Sequence, residues 1–240
     1  MKIRIITQCR MTSTRLPGKI LLPLGRDTIL GLHLQRLKST NLPITIATTQ
    51  NTCDDELVVL ANRYGVDIVR GSEDDVLSRF INVIDKWDDD WIVRVTSDCP
   101  FIDPTLIMQG VALLEQHIGS TTYVSNCFPR TYARGFDFEI CHSDLLREAM
   151  AKSSDAFDHE HVTPYLWQNK NGRMHLCNVS EMEDNSHWRL CIDTEEDYQL
   201  CQYLEQQFGA SSLNFKSIHE IMHMHPELGK INAHIEQKKK

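Results

Sequence analysis

Hydrophobic positions in the first half of the chain follow two spacings. Short runs of apolar and β-branched residues predict strands, and these runs are residues 2–7, 44–49, 67–69 and 91–95. After each run, apolar residues recur every three or four positions, which predicts helices. These helices are residues 29–38, 54–64, 74–86 and 104–115.

Strands that alternate with helices in this way predict an α/β fold, a mostly parallel sheet flanked by helices. Ligands of such sheets bind beyond the carboxyl ends of the strands. Three segments follow predicted strands at that edge: residues 9–19, 71–75 and 96–103. We therefore expect the functional site in these segments.

The second half of the chain is less regular. Apolar runs predict strands at residues 123–127 and 136–141, and a strand pair at 174–179 and 188–192. Helices are expected at 143–151, 159–168, 194–208 and 217–223, the third of them capped by Thr194. Because no repeat or linker is present, we predict one domain over residues 1–240, with a small α+β lobe at about 120–185.

Composition restricts the class of protein. Hydrophobic residues make up 41% and charged residues 24%, and the net charge is −8, which argues against nucleic-acid binding by the overall field. No apolar stretch approaches the ~18 residues of a membrane span, and the opening residues do not resemble a signal peptide. Eight cysteines without a C-x-x-C pair indicate reduced thiols in the cytoplasm. The basic run at 238–240 is interpreted as a solvated tail.

The segment 9–19 concentrates cations and hydroxyls after the first predicted strand. It reads C-R-M-T-S-T-R-L-P-G-K and includes Arg10, Arg15 and Lys19. Arginine forms fork-shaped hydrogen bonds to phosphate oxygens, lysine supplies a point charge, and Gly18 lets the backbone approach closely. The spacing differs from a Walker loop. The segment predicts a polyphosphate site, with a solvated basic turn as the alternative.

Carboxylates at other predicted strand ends could hold a metal ion. Asp98 and Asp193 each follow a strand-like run, and magnesium takes one or two protein carboxylates together with phosphate oxygens. Each aspartate could instead be a turn former or a helix cap.

Four further side chains could bind an acceptor. Asp137 and Glu139 alternate with apolar residues, so both would face one side of a strand. That side could bind an acceptor or simply face solvent. Glu160 and His161 lie in a helical segment, and His161 could be a general base, an anion ligand or a structural residue.

Three short motifs invite other interpretations. Residues 219–223 spell H-E-x-x-H, the helix motif of zinc peptidases, but they lie near the end of the chain in an apolar stretch. Residues 88–90 contain the D-x-D spacing of some glycosyltransferases, but they precede a strand and so lie at the opposite edge of the sheet. His159 and His161, two positions apart on a helix, would diverge.

The motif R-M-x-S-T-R-L-P-G-K-x-L resembles the N-terminal signature of sugar-activating cytidylyltransferases. The similarity is to the spore-coat polysaccharide type and to the related 3-deoxy-manno-octulosonate and acylneuraminate enzymes. Residues 71–77, 94–100, 134–139, 160–163 and 192–197 match in order. Cys9 departs from the alanine of many relatives.

This resemblance implies a Rossmann-like fold of the nucleotide-diphospho-sugar transferase type. It also implies transfer of CMP from CTP to a sugar or sugar-acid acceptor, with Mg²⁺ and as a homodimer. The implied catalytic residues are Arg10, Lys19 and Asp98, and the metal ligands Asp98 and Asp193. The implied nucleotide-binding residues are Cys9, Arg10, Met11, Ser13, Arg15, Lys19, Gly71, Ser72, Asp75 and Thr96, and the acceptor-binding residues Arg94, Asp137, Glu139, Glu160 and His161. A glycosyltransferase and a non-catalytic nucleotide-binding module remain as alternatives.

Overall fold

A seven-stranded mixed sheet forms the centre of the protein in a computed structural model that describes residues 1–236. The basic run at 238–240 lies outside the described residues. The strands of this sheet are β1 (Ile3–Gln8), β4 (Ile44–Thr49), β5 (Asp67–Gly71), β6 (Trp91–Thr96), β7 (Thr122–Ser125), β8 (Glu139–His142) and β9 (His175–Asn178), in the order β5-β4-β1-β6-β8-β7-β9. The short strands β2 (Pro23–Leu24) and β3 (Asp27–Thr28) form a separate hairpin.

Nine helices flank the sheet in the described part of the chain. They are α1 (Ile29–Lys38), α2 (Asp55–Tyr64), α3 (Val76–Trp87), α4 (Pro104–Gln116), α5 (Ser143–Lys152), α6 (Ala156–His161), α7 (Pro164–Trp167), α8 (Glu195–Phe208) and α9 (Phe215–Met224). The predicted α/β fold and the predicted parallel half of the sheet are therefore confirmed.

Alternation of side chains along the strands explains the two helical layers. In β1, Ile5 packs into one core cluster and Ile6 into the other, because successive strand residues point to opposite faces. The apolar stripe of α3 joins the Ile6 side, with Phe80 fully buried. Apolar residues of α1, α2, α4, α8 and α9 join the Ile5 side. Burial on both faces accounts for the nearly continuous apolar runs in the sequence.

Six of the seven strands run in one direction. β8 pairs antiparallel with both β6 and β7, whereas β9 pairs parallel with β7. The carboxyl ends of the parallel strands thus share one edge, and the start of β8 lies at that edge as well. Residues 122–178, which include most of the predicted lobe, extend the same sheet.

Three local predictions for the second half are wrong. Residues 188–192 form no strand pair with 174–179; they make only an isolated bridge through Arg189 to Arg134, and β9 pairs with β7 instead. The strand predicted at 136–141 begins only at Glu139. The helix predicted at 159–168 divides into α6 and α7, because Val162 has a φ of 71° and Pro164 follows.

Capping side chains fix the ends of several helices near the site. Asp103 accepts a hydrogen bond from the Thr105 amide, and Thr194 with Asp197 forms a reciprocal capping box at the start of α8. The predicted Thr194 cap is confirmed. Asp89 in the D-x-D segment lies at the opposite edge, where it is buried against the Arg4 guanidinium rather than solvated.

Candidate active site

A cleft of about 490 Å³ opens at the carboxyl edge of the sheet. It lies where the three segments that follow β1, β5 and β6 meet α6 and Asp193. Its lining consists of Gln8, Cys9, Arg10, Ser13, Thr14, Arg15, Lys19, Ile20, Glu73, Asp74, Val76, Arg79, Thr96, Ser97, Asp98, Ala156, Glu160, His161 and Asp193. The sequence therefore located the edge correctly, and five separate parts of the chain build the cleft.

The buried carboxylate of Asp54 holds the loop after β1 in place. Asp54 is fully buried, and its carboxylate accepts hydrogen bonds from the Met11 amide at 2.9 Å and from the hydroxyls of Thr48 and Thr49. Burial would raise the pKa of Asp54, but these hydrogen bonds outweigh it and lower the pKa. Asp54 thus anchors the loop to the end of β4, a role that the sequence did not reveal.

A tight turn directs Lys19 into the cleft. Gly18 has a φ of 67°, a left-handed conformation that glycine adopts without strain, and Lys19 begins a single 3₁₀ turn. The ammonium of Lys19 lies 2.8 Å from Asp98 Oδ2 and 2.7 Å from Asp193 Oδ1. It also donates to the Ile192 carbonyl at 2.7 Å. Lys19 therefore joins the ends of two distant chain segments.

The charges of this cluster stabilise one another. Burial would raise the pKa of Asp98, but the neighbouring Lys19 outweighs it and lowers the pKa to about 2. Burial would lower the pKa of Lys19, but the two carboxylates outweigh it and raise the pKa above its ordinary value. A hydrogen bond of 2.8 Å from the Ile192 amide to the Asp98 carbonyl fixes the two segments side by side. Asp98 is therefore ionised at neutral pH.

Two arginines also form salt bridges with Asp193. Its Oδ2 atom lies 2.9 Å from Arg15 and 2.6 Å from Arg189. Arg189 is buried and also pairs with Asp197, the capping residue of α8. The basic loop thus reaches the acidic pair from one side, while Arg189 supports it from the core.

Arg10 lies at another part of the cleft wall. Its guanidinium is 3.4 Å from Glu73, which also accepts hydrogen bonds from the Thr12 hydroxyl and from Asn51 at 2.7 Å. These hydrogen bonds lower the pKa of Glu73. Glu73 therefore ties the loop after β1 to the segment after β5.

Helix α6 forms another wall of the cleft, to which it contributes Glu160 and His161. The neighbouring His159 lies 3.0 Å from Asp75, the residue that caps α3. The carbonyl of Ser153 and the Asp75 carboxylate together raise the pKa of His159. This ion pair joins the wall made by α6 to the wall made by α3.

The other predicted acceptor-binding residues lie outside the cleft lining. Glu139 is buried, where it pairs with Arg94 and accepts hydrogen bonds from the hydroxyls of Tyr123 and Thr163 at 2.5 and 2.6 Å. This cluster supports the start of α7 from the sheet. Asp137 binds the Arg130 guanidinium, with one contact of 2.6 Å.

The remaining predicted nucleotide-binding residues either line the cleft or flank it. Cys9, Ser13 and Thr96 line the cleft, and Cys9 is buried, which raises the pKa of its thiol. Four others flank the cleft without being among its lining residues: Met11, Gly71, Ser72 and Asp75. Sequence analysis missed Glu73, Asp74 and Arg79. Arg79 had a detectable signal, because it occupies the apolar stripe of α3, three residues after Val76.

The H-E-x-x-H segment lies in α9, away from the cleft. His219 is buried, its Nδ1 atom lies 3.1 Å from Glu181, and burial lowers its pKa to about 4. Within residues 1–236, no group of three or more His, Cys, Asp or Glu side chains is arranged to hold a metal ion. His219 instead packs among Tyr132, Phe136 and Trp188.

Comparison with known proteins agrees with the geometry of the cleft. The cytidylyltransferase family model matches residues 4–217. The chain belongs to the cytidylyltransferase family. A cytidylyltransferase of Leptospira borgpetersenii has a solved structure with a TM-score of 0.88 and 33% identity, over 100% of both chains.

Other members of this family and fold extend the comparison. This cytidylyltransferase is 32% identical to the spore coat polysaccharide biosynthesis protein SpsF of Bacillus subtilis, over 86% of this chain and 88% of that protein. A CMP:2-keto-3-deoxy-manno-octonic acid synthetase complexed with CTP shares the fold, with a TM-score of 0.63 and 15% identity over 86% of this chain and 99% of that one.

The family assignment establishes the type of enzyme. The protein is a nucleotidyltransferase with a Rossmann-like fold, as the sequence predicted. None of its described helices is both long enough and apolar enough to cross a membrane.

Proposed function

We propose that this cytidylyltransferase transfers CMP from CTP to a sugar or sugar-acid acceptor and releases pyrophosphate. The proposal rests mainly on one observation. The loop cations Arg15 and Lys19 meet the carboxylates of Asp98 and Asp193 inside one open cleft. Such a cleft can hold a polyanion together with a divalent cation, which is the charge arrangement that nucleotidyl transfer requires.

The acidic pair fits magnesium by its donor chemistry. Asp98 and Asp193 already share one cation, the Lys19 ammonium, in a cleft lined by hydroxyls and amides. Magnesium is commonly held by one or two carboxylates together with substrate phosphates and water. When bound, the ion would neutralise phosphate charge and stabilise the charge that develops on pyrophosphate.

The chain's own residues would perform the remaining work. Arg10, Arg15 and Ser13 would bind the phosphates, and Lys19 would move from the aspartates to a phosphate oxygen. The acceptor oxygen attacks the α-phosphorus as the bond to the β-phosphate oxygen breaks. Catalysis would come from alignment and from charge stabilisation.

The α6 wall is the proposed acceptor side. Glu160 and His161 line the cleft together with Arg10 and Glu73, and His161 would receive the acceptor proton or bind an anionic group. Arg94, Asp137 and Glu139 would act from behind this wall by holding the lobe at 120–185.

The proposed biological setting follows from the relatives of this chain. Similarity to SpsF supports precursor synthesis for a surface polysaccharide, carried out in the cytoplasm. A homodimer formed through the lobe is compatible with β9, an edge strand whose Leu176 is about half exposed.

A pyrophosphate-release assay tests the proposal. The purified enzyme is incubated with Mg²⁺, with CTP, UTP, ATP or GTP, and with a panel of keto-sugar acids, sugar phosphates and phosphonates. We expect release with CTP and one acceptor class. Asp98→Asn should lower the rate on the order of 10²–10³-fold, while Asp144→Asn, at an exposed position on α5, should not change it.

Other outcomes would identify other functions. Consumption of a nucleotide sugar without pyrophosphate would indicate a glycosyltransferase. Tight CTP binding without turnover on any acceptor would indicate a nucleotide-binding module. Normal turnover by Asp98→Asn would remove the metal assignment.

A further inference from the structure

Two nitrogen atoms of one cation in the cleft have no hydrogen-bond partner among the described residues. Arg79 on α3 is only 2% exposed, and its Nε and Nη1 atoms are sealed from solvent with no hydrogen-bond partner among the described residues. A buried charged donor that lacks an acceptor is costly, and native proteins retain few of them. Every other cation of the cleft wall pairs with a carboxylate: Arg10, Arg15 and Lys19.

The position of Arg79 is built into the fold. Its stem crosses the end of β5 so closely that a Cβ atom at Gly71 would lie 2.9 Å from Arg79 Cγ. Arg79 lines the cleft beside Cys9, Glu73 and Val76. Because Gly71 has no side chain, the long side chain of Arg79 has room to reach the cleft.

Arg79 and Lys19 occupy different parts of the cleft. Lys19 pairs with Asp98, which follows β6, whereas the Arg79 stem packs against Gly71 at the end of β5, three positions away in the sheet. A triphosphate at the Lys19 end would place its nucleoside toward the Arg79 end. With the phosphates held by Arg10, Arg15 and Lys19, Arg79 and the apolar Val76 are left to face the flat, uncharged ring of the base.

We infer that Arg79 reads the pyrimidine by donating hydrogen bonds to O2 and N3 of cytosine. Guanidinium has five N–H donors and no acceptor. Cytosine presents two adjacent acceptors, O2 and N3, whereas uracil presents a donor, N3–H, beside its O2. If an Arg79 N–H faced the N3–H of uracil, neither donor would have an acceptor. Arg79 would therefore bind cytosine and discriminate against uracil. The inference rests on the proposed use of CTP.

The first test measures nucleotide binding by calorimetry, with CTP, UTP and inorganic triphosphate and with Mg²⁺ present. Arg79→Met should weaken CTP binding by about 10- to 150-fold, the usual range for a lost charged hydrogen bond. It should reduce the preference for CTP over UTP and leave triphosphate affinity within about twofold. Arg79→Lys, which keeps the charge but not the fork, should lose the same preference.

A second test changes the ligand, so it does not depend on a variant that folds. In 3-deaza-CTP a C–H replaces N3. The wild-type protein should bind this analogue about 10-fold or more weakly than CTP. Arg79→Met should bind the two with similar affinity, because the donor is already absent.

The outcomes separate this inference from the proposed function. Equal binding of CTP and 3-deaza-CTP by the wild-type protein would overturn the role of Arg79. A parallel loss of triphosphate binding in Arg79→Met would overturn it too, by making Arg79 a phosphate ligand. If the wild-type protein bound no CTP, the proposed function itself would fail, and this inference with it.

Discussion

Replacement of Lys19 by methionine gives a sharp test of the electrostatics of the cleft. Methionine has a similar length and is apolar, so the change removes the ammonium while keeping most of the volume. Asp193 would retain Arg15 and Arg189. Asp98 would lose the one cation with which it forms a salt bridge in the described structure. The variant therefore isolates the pairing of Asp98.

The size of the effect follows from the pKa of Asp98. Lys19 and nearby hydrogen bonds hold this pKa at about 2, against an ordinary value of 3.8. That difference corresponds to about 2 kcal/mol of stability at neutral pH. Because a charge is also left partly buried, we expect Lys19→Met to lower the free energy of unfolding by about 2–4 kcal/mol at pH 7.

The effect should depend on pH in a defined direction. A carboxylate with a lowered folded-state pKa stabilises the protein above its unfolded-state pKa, and this stability is lost as the pH falls through the folded-state pKa. For Asp98 the window runs from about pH 4 to about pH 2. Roughly half of the contribution should be gone at pH 3.

Urea unfolding at pH 7 and pH 3 measures both quantities. Lys152→Met is the matched control, because Lys152 makes an exposed i,i+4 pair with Glu148 on α5 and should change stability by less than about 0.5 kcal/mol. A Lys19→Met protein as stable as wild type at pH 7, or a deficit that stays constant between the two pH values, would refute the reasoning.

Two further changes probe the supports of the site. Gly135→Ala should lower the free energy of unfolding, measured with urea, by about 2–4 kcal/mol. The φ of Gly135 is 110°, and a Cβ atom there would lie 2.7 Å from the Leu190 carbonyl carbon. Unchanged stability would contradict this close approach. His159→Gln should cost about 0.5–1 kcal/mol at pH 5.5 and less at pH 8.5. The Ser153 carbonyl and the Asp75 carboxylate raise the pKa of His159, and the stabilisation is lost as the pH rises through that raised pKa. Thermal melting at the two pH values checks the sign.

The parallel half of the fold was predictable because its units are local. In the segment from Ile44 to Tyr64, a strand, a turn and a helix follow one another, and side-chain spacing reports each of them. The carboxyl edge then follows from the direction of the strands. This is why the positions of Arg10, Lys19 and Asp98 could be predicted without a structure.

The second half depends on contacts that spacing does not encode. Residues 188–192 are apolar and extended, but the Arg134 backbone and the end of β6 hold them in place of a strand partner. The direct pairing of Lys19 with Asp193 joins residues far apart in the chain. The place of Arg79 in the apolar stripe of α3 was visible in the sequence, but only the fold shows that the stripe ends in a cleft.

The Lys19 ammonium also affects how the enzyme is made and stored. Many small metal-binding domains remain unfolded until an ion neutralises their clustered ligands. In this protein the Lys19 ammonium, which belongs to the chain itself, neutralises Asp98 and Asp193 as soon as the chain folds. If the acidic pair binds a metal ion as proposed, the protein should still mature and persist under metal starvation.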